Sequence, residues 1–335
     1  METYLYRLNF NSPVHFGASG IGLEITKKTL SSDALTSALI NSFAVFGEAD
    51  QVITALKQEK PAFVMSSLFP FFDYSNGRIE YLLPRPLTSP KAEKELLKSK
   101  AKDLKKIEYL QANCFFSWIG EKPLDTNMLE DIIDVNKDLT KDWWKSELRP
   151  RVALDRISQN SAIWSCGVLH FQQNAGLYGL IRFENELWKN KLTAAFKLLG
   201  ELGLGGERTY GMGTFSVSEF EPLKDVWNKI PYTKGKFVLL SSFFPADDEC
   251  SGISEKFEAW NFVENRGYIV SGRMATTLKR KRLNMMVEGS VAKEVVKGKM
   301  VEVTPDDAQD LGLTHSVYRS GLAFLMPLPV KGADQ

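Results

Sequence analysis

The first patterned stretch of the chain, Tyr4-Leu5-Tyr6-Arg7-Leu8-Asn9-Phe10, reads as an opening strand. A loop follows over residues 11–22, and Ser31, Ser32 and Asp33 then offer N-cap side chains to a helix over Ala34–Ile40. Ser66–Phe71 reads as a strand ending at proline, and Leu83-Pro84-Arg85-Pro86 as a proline-fixed extended segment. Lys91–Tyr109 forms helix with a charged, solvated face. Ala162–Phe171 and Gly176–Phe183 are expected as strands of one sheet. Leu187–Leu199 carries apolar residues at helical spacing, and Gly213–Ser218 alternates like a strand. Residues 222–235 form an inter-domain linker. Lys236–Leu240, Tyr268–Arg273 and Leu322–Leu325 then supply strands to a second half. No short internal repeat is visible, yet two halves that each close on strand-forming sequence suit a duplicated domain.

Between the Leu187–Leu199 helix and the strand after it lies the most distinctive stretch, Gly200 to Phe215. Six glycines fall in these sixteen residues, with Arg208, Thr209 and Tyr210 among them. Glycine lets a phosphate or sugar come close to main-chain N–H groups. The order helix, glycines, strand is the reverse of a dinucleotide fingerprint, and no Gly-Lys-Ser/Thr follows. A flexible connection would need neither the arginine nor the tyrosine.

Composition narrows the picture. An apolar fraction of 44% and a charged fraction of 25% over 335 residues describe a globular protein of two domains or one large one. No run of eighteen apolar residues occurs, and the N-terminus is no signal peptide, so a membrane is not expected. Cys114, Cys166 and Cys250 are too few and too widely spaced for a disulfide framework or zinc site, which suggests a reducing cytoplasm. A net charge of +1 argues against a protein that coats nucleic acid non-specifically, while leaving room for a local basic groove.

Two cationic stretches stand out. Arg149, Arg151 and Arg156 flank an apolar strand core with Asp155 among them, and guanidinium suits forked contacts with phosphate and stacking on bases. On a hairpin, Asp155 pairs with Arg156 or a neighbour. Lys279-Arg280-Lys281-Arg282 is the sharpest basic patch and reads as a phosphate site or a solvated turn. His15, His170 and His315 are the only histidines, and no metal-spaced or nucleophile-elbow motif appears, so neither metal nor cofactor is expected.

Leu204–Phe215 resembles the C-terminal glycine-rich loop of the RAMP superfamily, the RNA-binding subunits of CRISPR systems. His15-Phe16-Gly17 followed by Ser32–Leu39 is similar to the N-terminal motif of the fourth Csm subunit family of type III-A complexes. The stretches around Ser66–Phe71, Leu83–Pro86 and Lys105–Leu110, the Arg151…Asp155-Arg156 hairpin, Lys279–Ser290 and His315–Leu325 follow in that family's order, which implies a strand at Glu288-Gly289-Ser290 after the Lys/Arg stretch. The resemblance runs from Tyr4 to Pro327 but matches nothing over 111–147 and 243–265.

It implies an α+β fold of two ferredoxin-like (RRM-like) domains with an inserted hairpin or thumb. The domains are 1–221, with an insertion at about 85–147, and 236–335. The implied function is to hold the 5′ repeat-derived handle of the CRISPR RNA and bridge the large polymerase-like subunit to the backbone RAMP subunits. Target RNA is met indirectly, and catalysis belongs to those partners.

By the same resemblance Gly203, Gly205, Gly206, Gly211 and Gly213 serve close backbone approach, beside Thr209 and Tyr210. Arg151, Arg156, Arg208 and Lys279, Arg280, Lys281 and Arg282 supply charge. His15, Phe16, Gly17 and the Ser32-Asp33 helix start contact the handle, Asp155 orients an arginine, and the thumb over 152–157 displaces a base. Three other readings remain: a metal-free RNA-processing ribonuclease using His15 with Tyr210 and Arg208, the equivalent type III-B subunit, and a scaffold without RNA contact.

Overall fold

The computed structural model describes residues 2–17, 22–74, 76–120, 122–137, 139–157, 160–223, 235–269 and 278–328. In the first half the strands are β1 (Thr3–Phe10), β2 (Phe63–Met65), β3 (Phe69–Asp73), β4 (Ile79–Pro84), β5 (Tyr109–Gln111), β6 (Trp144–Leu154), β7 (Ser161–Phe171), β8 (Ala175–Phe183), β9 (Phe215–Val217) and β10 (Glu221–Pro222). The helices are α1 (Ser32–Val45), α2 (Ala49–Leu56), α3 (Lys94–Ser99), α4 (Ala101–Lys106), α5 (Ala112–Ile119), α6 (Thr126–Asn136) and α7 (Glu186–Leu202).

β8 sits near the centre of an antiparallel sheet ordered β10–β1–β8–β3–β4–β5, with β2 also on β8 and β9 also on β1. Its sequence, Ala-Gly-Leu-Tyr-Gly-Leu-Ile-Arg-Phe, is apolar on both faces because both faces are covered. Gly179 is required there, since a Cβ would lie 2.3 Å from the Tyr6 hydroxyl of the facing strand.

One sheet face is covered by α1 and α7. Leu35, Leu39 and Phe43 recur every fourth residue along α1, and α7 offers Trp188, Leu192, Phe196 and Leu199 at the same helical spacing. They meet Tyr6, Leu8, Leu177 and Ile181 of the sheet in the largest core. Phe196 is fully buried against Tyr6 and Phe220. Its truncation to alanine is a change of the kind that costs ~3–5 kcal/mol. The Asn185 side chain starts α7 by accepting from the Trp188 N–H.

The opposite face carries Leu5, Phe69, Tyr178 and Leu180. These pack on Val238, Leu240, Val291, Phe324 and Met326 of the second half and on the inserted helices α4–α6. The second half contributes β11 (Phe237–Leu239), β12 (Phe257–Ala259), β13 (Phe262–Asn265), β14 (Tyr268–Ile269), β15 (Leu278–Lys279), β16 (Leu283–Met286), β17 (Val291–Ala292), β18 (Met300–Glu302), β19 (Tyr318–Ser320) and β20 (Leu325–Pro327). Four form a sheet ordered β12–β17–β11–β20, and the rest pair as short ribbons. Arg182 of β8 stitches the halves together: its guanidinium lies 4.1 Å from the Phe324 ring and donates to the Leu325 carbonyl at 3.0 Å. Burial lowers its pKa to about 10.

Several expectations change. Among its described residues the second half has no α-helix, only a 3₁₀ turn at Asp247–Glu249, so no second ferredoxin-like unit is seen there. Its apolar positions come in runs too short for a helix face. β7 and β8 do not share a sheet: among the described strands β7 pairs with β6, over eleven residues from Trp144↔Phe171 to Leu154↔Ser161, and its other edge meets the chain after β1 through an isolated bridge, Val14↔Leu169. Pro70 lies inside β3 rather than ending it, opposite Leu177. Glu288-Gly289-Ser290 is a turn, with Gly289 at φ +87°. Of the expected Tyr268–Arg273 strand, Tyr268 and Ile269 pair with β15; 270–273 and most of the linker, 224–234, lie outside the described residues.

Candidate nucleic-acid interface

Three segments far apart in sequence meet at one place: the loop after β1, the base of the β6–β7 hairpin, and the glycine-rich loop after α7. Gly203 ends α7 at φ +84°, its N–H returning to the Leu199 carbonyl at 2.8 Å. The loop then zips onto residues 11–15, with the Gly206 N–H on the His15 carbonyl at 2.8 Å. The Gly213 N–H reaches the Pro13 carbonyl at 2.9 Å, and the Asn11 N–H the Thr214 carbonyl at 2.9 Å. His15 is buried and donates through Nδ1 to the Gly167 carbonyl of β7 at 2.7 Å. Phe16 is buried edge-on to Phe10, and Cys166 and Val168 of β7 pack on Met212.

This geometry explains the glycines differently from the sequence expectation. A Cβ at Gly203 would sit 2.4 Å from the Met212 carbonyl oxygen, at Gly205 2.6 Å from that of His15, and at Gly213 2.2 Å from that of Leu204. At Gly206 it would press on the His15 ring at 2.9 Å. The close approach these four serve is to the protein's own chain. Gly211, at φ +76° with open space around its Cα, alone of the five turns outward.

What the packed glycines present is a short 3₁₀ turn, Arg208–Tyr210, on the surface. Tyr210 is 59% exposed, and the Arg151 guanidinium stacks over its ring at 4.4 Å. Both residues stand out in the sequence as candidate RNA contacts, and the structure brings them together with Arg208, Thr209 and Gly211. Gly17 is exposed at the rim.

Beyond this pair the β6–β7 hairpin stands clear of the body. Leu148, Val152, Leu154, Ile157 and Ile163 are all more than half exposed, Ile157 at 97%. Arg156 is exposed in its turn. Asp155 accepts from the Ile157 N–H at 2.9 Å, so it shapes the turn. Pro150 lies within β6 opposite Ser165, where a lone two-stranded ribbon tolerates its missing N–H.

Two predicted groups lie elsewhere. Ser32 and Asp33 are buried where the halves meet. The Ser32 Oγ accepts from the Ser242 N–H at 3.0 Å, and the Asp33 carboxylate takes Arg319 Nη1 and, at 2.5 Å, the Ser31 hydroxyl. They hold the second half to α1 instead of facing a ligand. An unpaired aspartate would be costly at that depth, and Arg319 neutralises it.

The Lys279–Arg282 run also disperses. Lys279 lies 5.9 Å from the Tyr268 ring centre, Lys281 pairs with Asp306 at 2.5 Å, and Arg282 approaches Glu264 at 3.9 Å. Arg280 turns inward, where burial first and Arg319 second hold its pKa below the usual arginine value. No contact described among these residues joins them to the hairpin or the glycine loop.

Sequence reasoning missed the interior partners Glu288, Ser67 and Ser242. Glu288 Oε1 takes the Ser67 hydroxyl and, at 3.4 Å, that of Ser242, while burial pushes its pKa up. No group of three or more His, Cys, Asp or Glu side chains among the described residues could hold a metal ion. No helix there is long and apolar enough to cross a membrane.

Against known proteins, residues 233–328 match the family model described as the CRISPR Csm4 C-terminal domain. A CRISPR system Csm4 protein of Thermococcus onnurineus is 28% identical over 313 residues, covering 90% of this chain and 91% of its own. That of Methanocaldococcus jannaschii is 25% identical, covering 99% and 98%. Among solved structures, one from a Csm3–Csm4 subcomplex of a type III-A interference complex superposes with a TM-score of 0.65 at 20% identity, covering 98% of this chain and all of the other. One from a Csm1–Csm4 cassette with cA4 gives 0.59 at 21% identity, covering 98% of each. The mixed helix-and-sheet architecture is therefore that of these proteins.

Proposed function

Because the chain belongs to the Csm4 family of CRISPR proteins, we propose that it is the RNA-binding subunit of a type III-A effector that holds the 5′ handle of the CRISPR RNA. The observation that carries this reading is the Arg151–Tyr210 stack, built where a free-standing hairpin meets a glycine loop anchored from beneath. A guanidinium on an aromatic ring offers a forked phosphate donor beside a stacking surface. Arg208 and Thr209 extend it, Gly211 lets a strand approach, and Arg156 with the exposed apolar tip would part bases at the end of the handle. Specificity would come from a few base contacts over a backbone grip.

The reading is non-catalytic. His15, the general acid–base of the ribonuclease alternative, is buried and spends Nδ1 on the Gly167 carbonyl. A proton shuttle must reach the ribose hydroxyl it deprotonates. We take residues 1–221 as a ferredoxin-like unit with an insertion at about 85–147, because the order β9–β1–β8–β2 with α1 and α7 as connections is that of a split β-α-β fold. Residues 236–335 form a second, strand-rich unit without the ferredoxin-like helices among its described residues, joined through 222–235. Solved relatives stand with Csm1 and with Csm3. We carry both over as the expected large subunit and backbone subunit, with a cytoplasmic location.

Co-expression with its genomic neighbours tests the placement. Recovery with a large polymerase-like subunit and a repeated backbone subunit is expected. Recovery as a lone chain that cuts repeat RNA in the presence of a chelator would overturn it.

A further inference from the structure

The inserted helices have no role in the site above, yet they wall a groove. It is about 570 Å³ in volume and runs between the 26–31 loop and residues 105–109. A second cavity of about 240 Å³ adjoins it and shares Lys28, Glu108 and Tyr109. Lys27, Lys28, Arg85 and Lys105 line the first, and Lys106 and Lys141 the second. Glu108 bridges Lys28 at 3.0 Å, and the Tyr109 hydroxyl meets Thr29 at 3.2 Å on the floor. Arg85 is fixed rather than free: its Nε donates to the Ile107 carbonyl at 2.9 Å, and its guanidinium lies 5.9 Å from the Trp118 ring centre.

The second cavity ends at Trp144, the first residue of β6, with Lys28 5.7 Å from its ring centre. The groove therefore runs to the foot of the hairpin that carries Arg149 and Arg151. Cations along both rims, an aromatic ring at the far end and hydroxyls on the floor are the elements of a track for a sugar–phosphate chain. An acidic peptide would satisfy the cations but leave the ring at the hairpin foot without a stacking partner.

We propose that this groove, walled by the inserted segment, carries the phosphodiester backbone of single-stranded RNA continuing from the hairpin site. The inference rests on the RNA-binding reading above. Lys27, Lys105 and Lys141 contact phosphates without reading bases, and Arg85 adds a fixed guanidinium to the groove wall.

The test is the salt dependence of RNA binding by the assembled complex, using a fluorescent RNA with the sequence recovered from it. Three chains are compared: wild type, Lys27→Ala/Lys105→Ala/Lys141→Ala, and Lys98→Ala/Lys102→Ala, whose lysines lie off the groove. All five lysines are exposed, so folding is not at stake. Each lost phosphate contact on a single strand flattens the log–log salt slope by ~0.7, so the triple variant is predicted to lose ~2 in slope while the control keeps it. The RNA species held should not change.

An unaltered slope in the triple variant, with Arg151→Ala still flattening it, would overturn the groove and leave the hairpin site standing. No RNA on the wild-type complex would instead overturn the reading beneath it. Protection of Lys27, Lys105 and Lys141 from acetylation in the RNA-free complex, unchanged by added RNA, would assign the groove to a neighbouring subunit and overturn the proposal.

Discussion

Replacing Asp33 by alanine removes the carboxylate that neutralises Arg319 at the junction of the two halves. Both side chains are enclosed, at 1% and 7% exposure, and the Arg280 charge is felt there too, repelled by Arg319 and attracted by Asp33. Breaking a buried pair by deleting one member leaves an uncompensated charge and costs ~3–5 kcal/mol. Here the second arginine argues for the upper part of that range, because the two cations then repel without a counter-charge between them. Arg319 keeps one bond, from Nη2 to the Arg266 carbonyl at 2.8 Å, which does nothing for the charge.

The assay is urea unfolding of the purified chain, read as a fall in midpoint at constant m-value. The double variant Asp33→Leu/Arg319→Met replaces the pair by apolar groups and is predicted to recover ~2 kcal/mol or more of the loss. RNA held by surviving folded protein should be unchanged in identity. If Asp33→Ala unfolds within about 0.5 kcal/mol of wild type yet loses RNA, the helix start touches the handle after all and the structural assignment is refuted; neutral surface changes stay within that margin.

Further tests follow from the same geometry. Gly213→Ala, at φ +81° with a Cβ only 2.2 Å from the Leu204 oxygen, should lower stability by ~2–3 kcal/mol in thermal melts. Gly211→Ala, at φ +76° in open space, should cost only about 1 kcal/mol. The Glu288 carboxyl has its pKa raised by burial in the folded state, so its protonated form is the one folding favours. Its contribution is fully present below the ordinary carboxylate pKa and is lost as pH rises through the folded value. Urea midpoints of wild type should therefore fall with pH across that window, and those of Glu288→Gln should fall less. His15→Ala should lower the melting temperature through loss of its bond to Gly167, and should leave no cleavage of repeat RNA to abolish.

Much of the first half was legible because its signals are local. The periodic apolar residues of β1, α1 and α7 and the arginine-bearing hairpin each lie within one continuous stretch. The glycine loop was legible as a place of close approach but not as to what approaches. Nothing in Gly203–Gly213 says that the partner is the chain at Pro13–Phe16.

Ser32 and Asp33 misled for a related reason. A polar pair at a helix start looks the same whether it awaits an anion or a buried arginine, and Arg319 lies 286 positions away. Lys105 reads as a solvated helix residue until the 26–31 loop is seen facing it. The second half was least legible because its strands, two to four residues long, pair across turns with no period to find.

Whether the Arg151–Tyr210 stack holds the handle is decided by sequencing the RNA that co-purifies with the chain when it is expressed with its genomic neighbours and a CRISPR array, for wild type and for Arg151→Ala/Tyr210→Ala. Guides with one uniform repeat-derived 5′ end are predicted for wild type, and their loss for the double variant. Recovery of the same guides with the stack removed would place the grip on the handle elsewhere, and RNA with ragged 5′ ends from wild type would rule out handle binding by this chain.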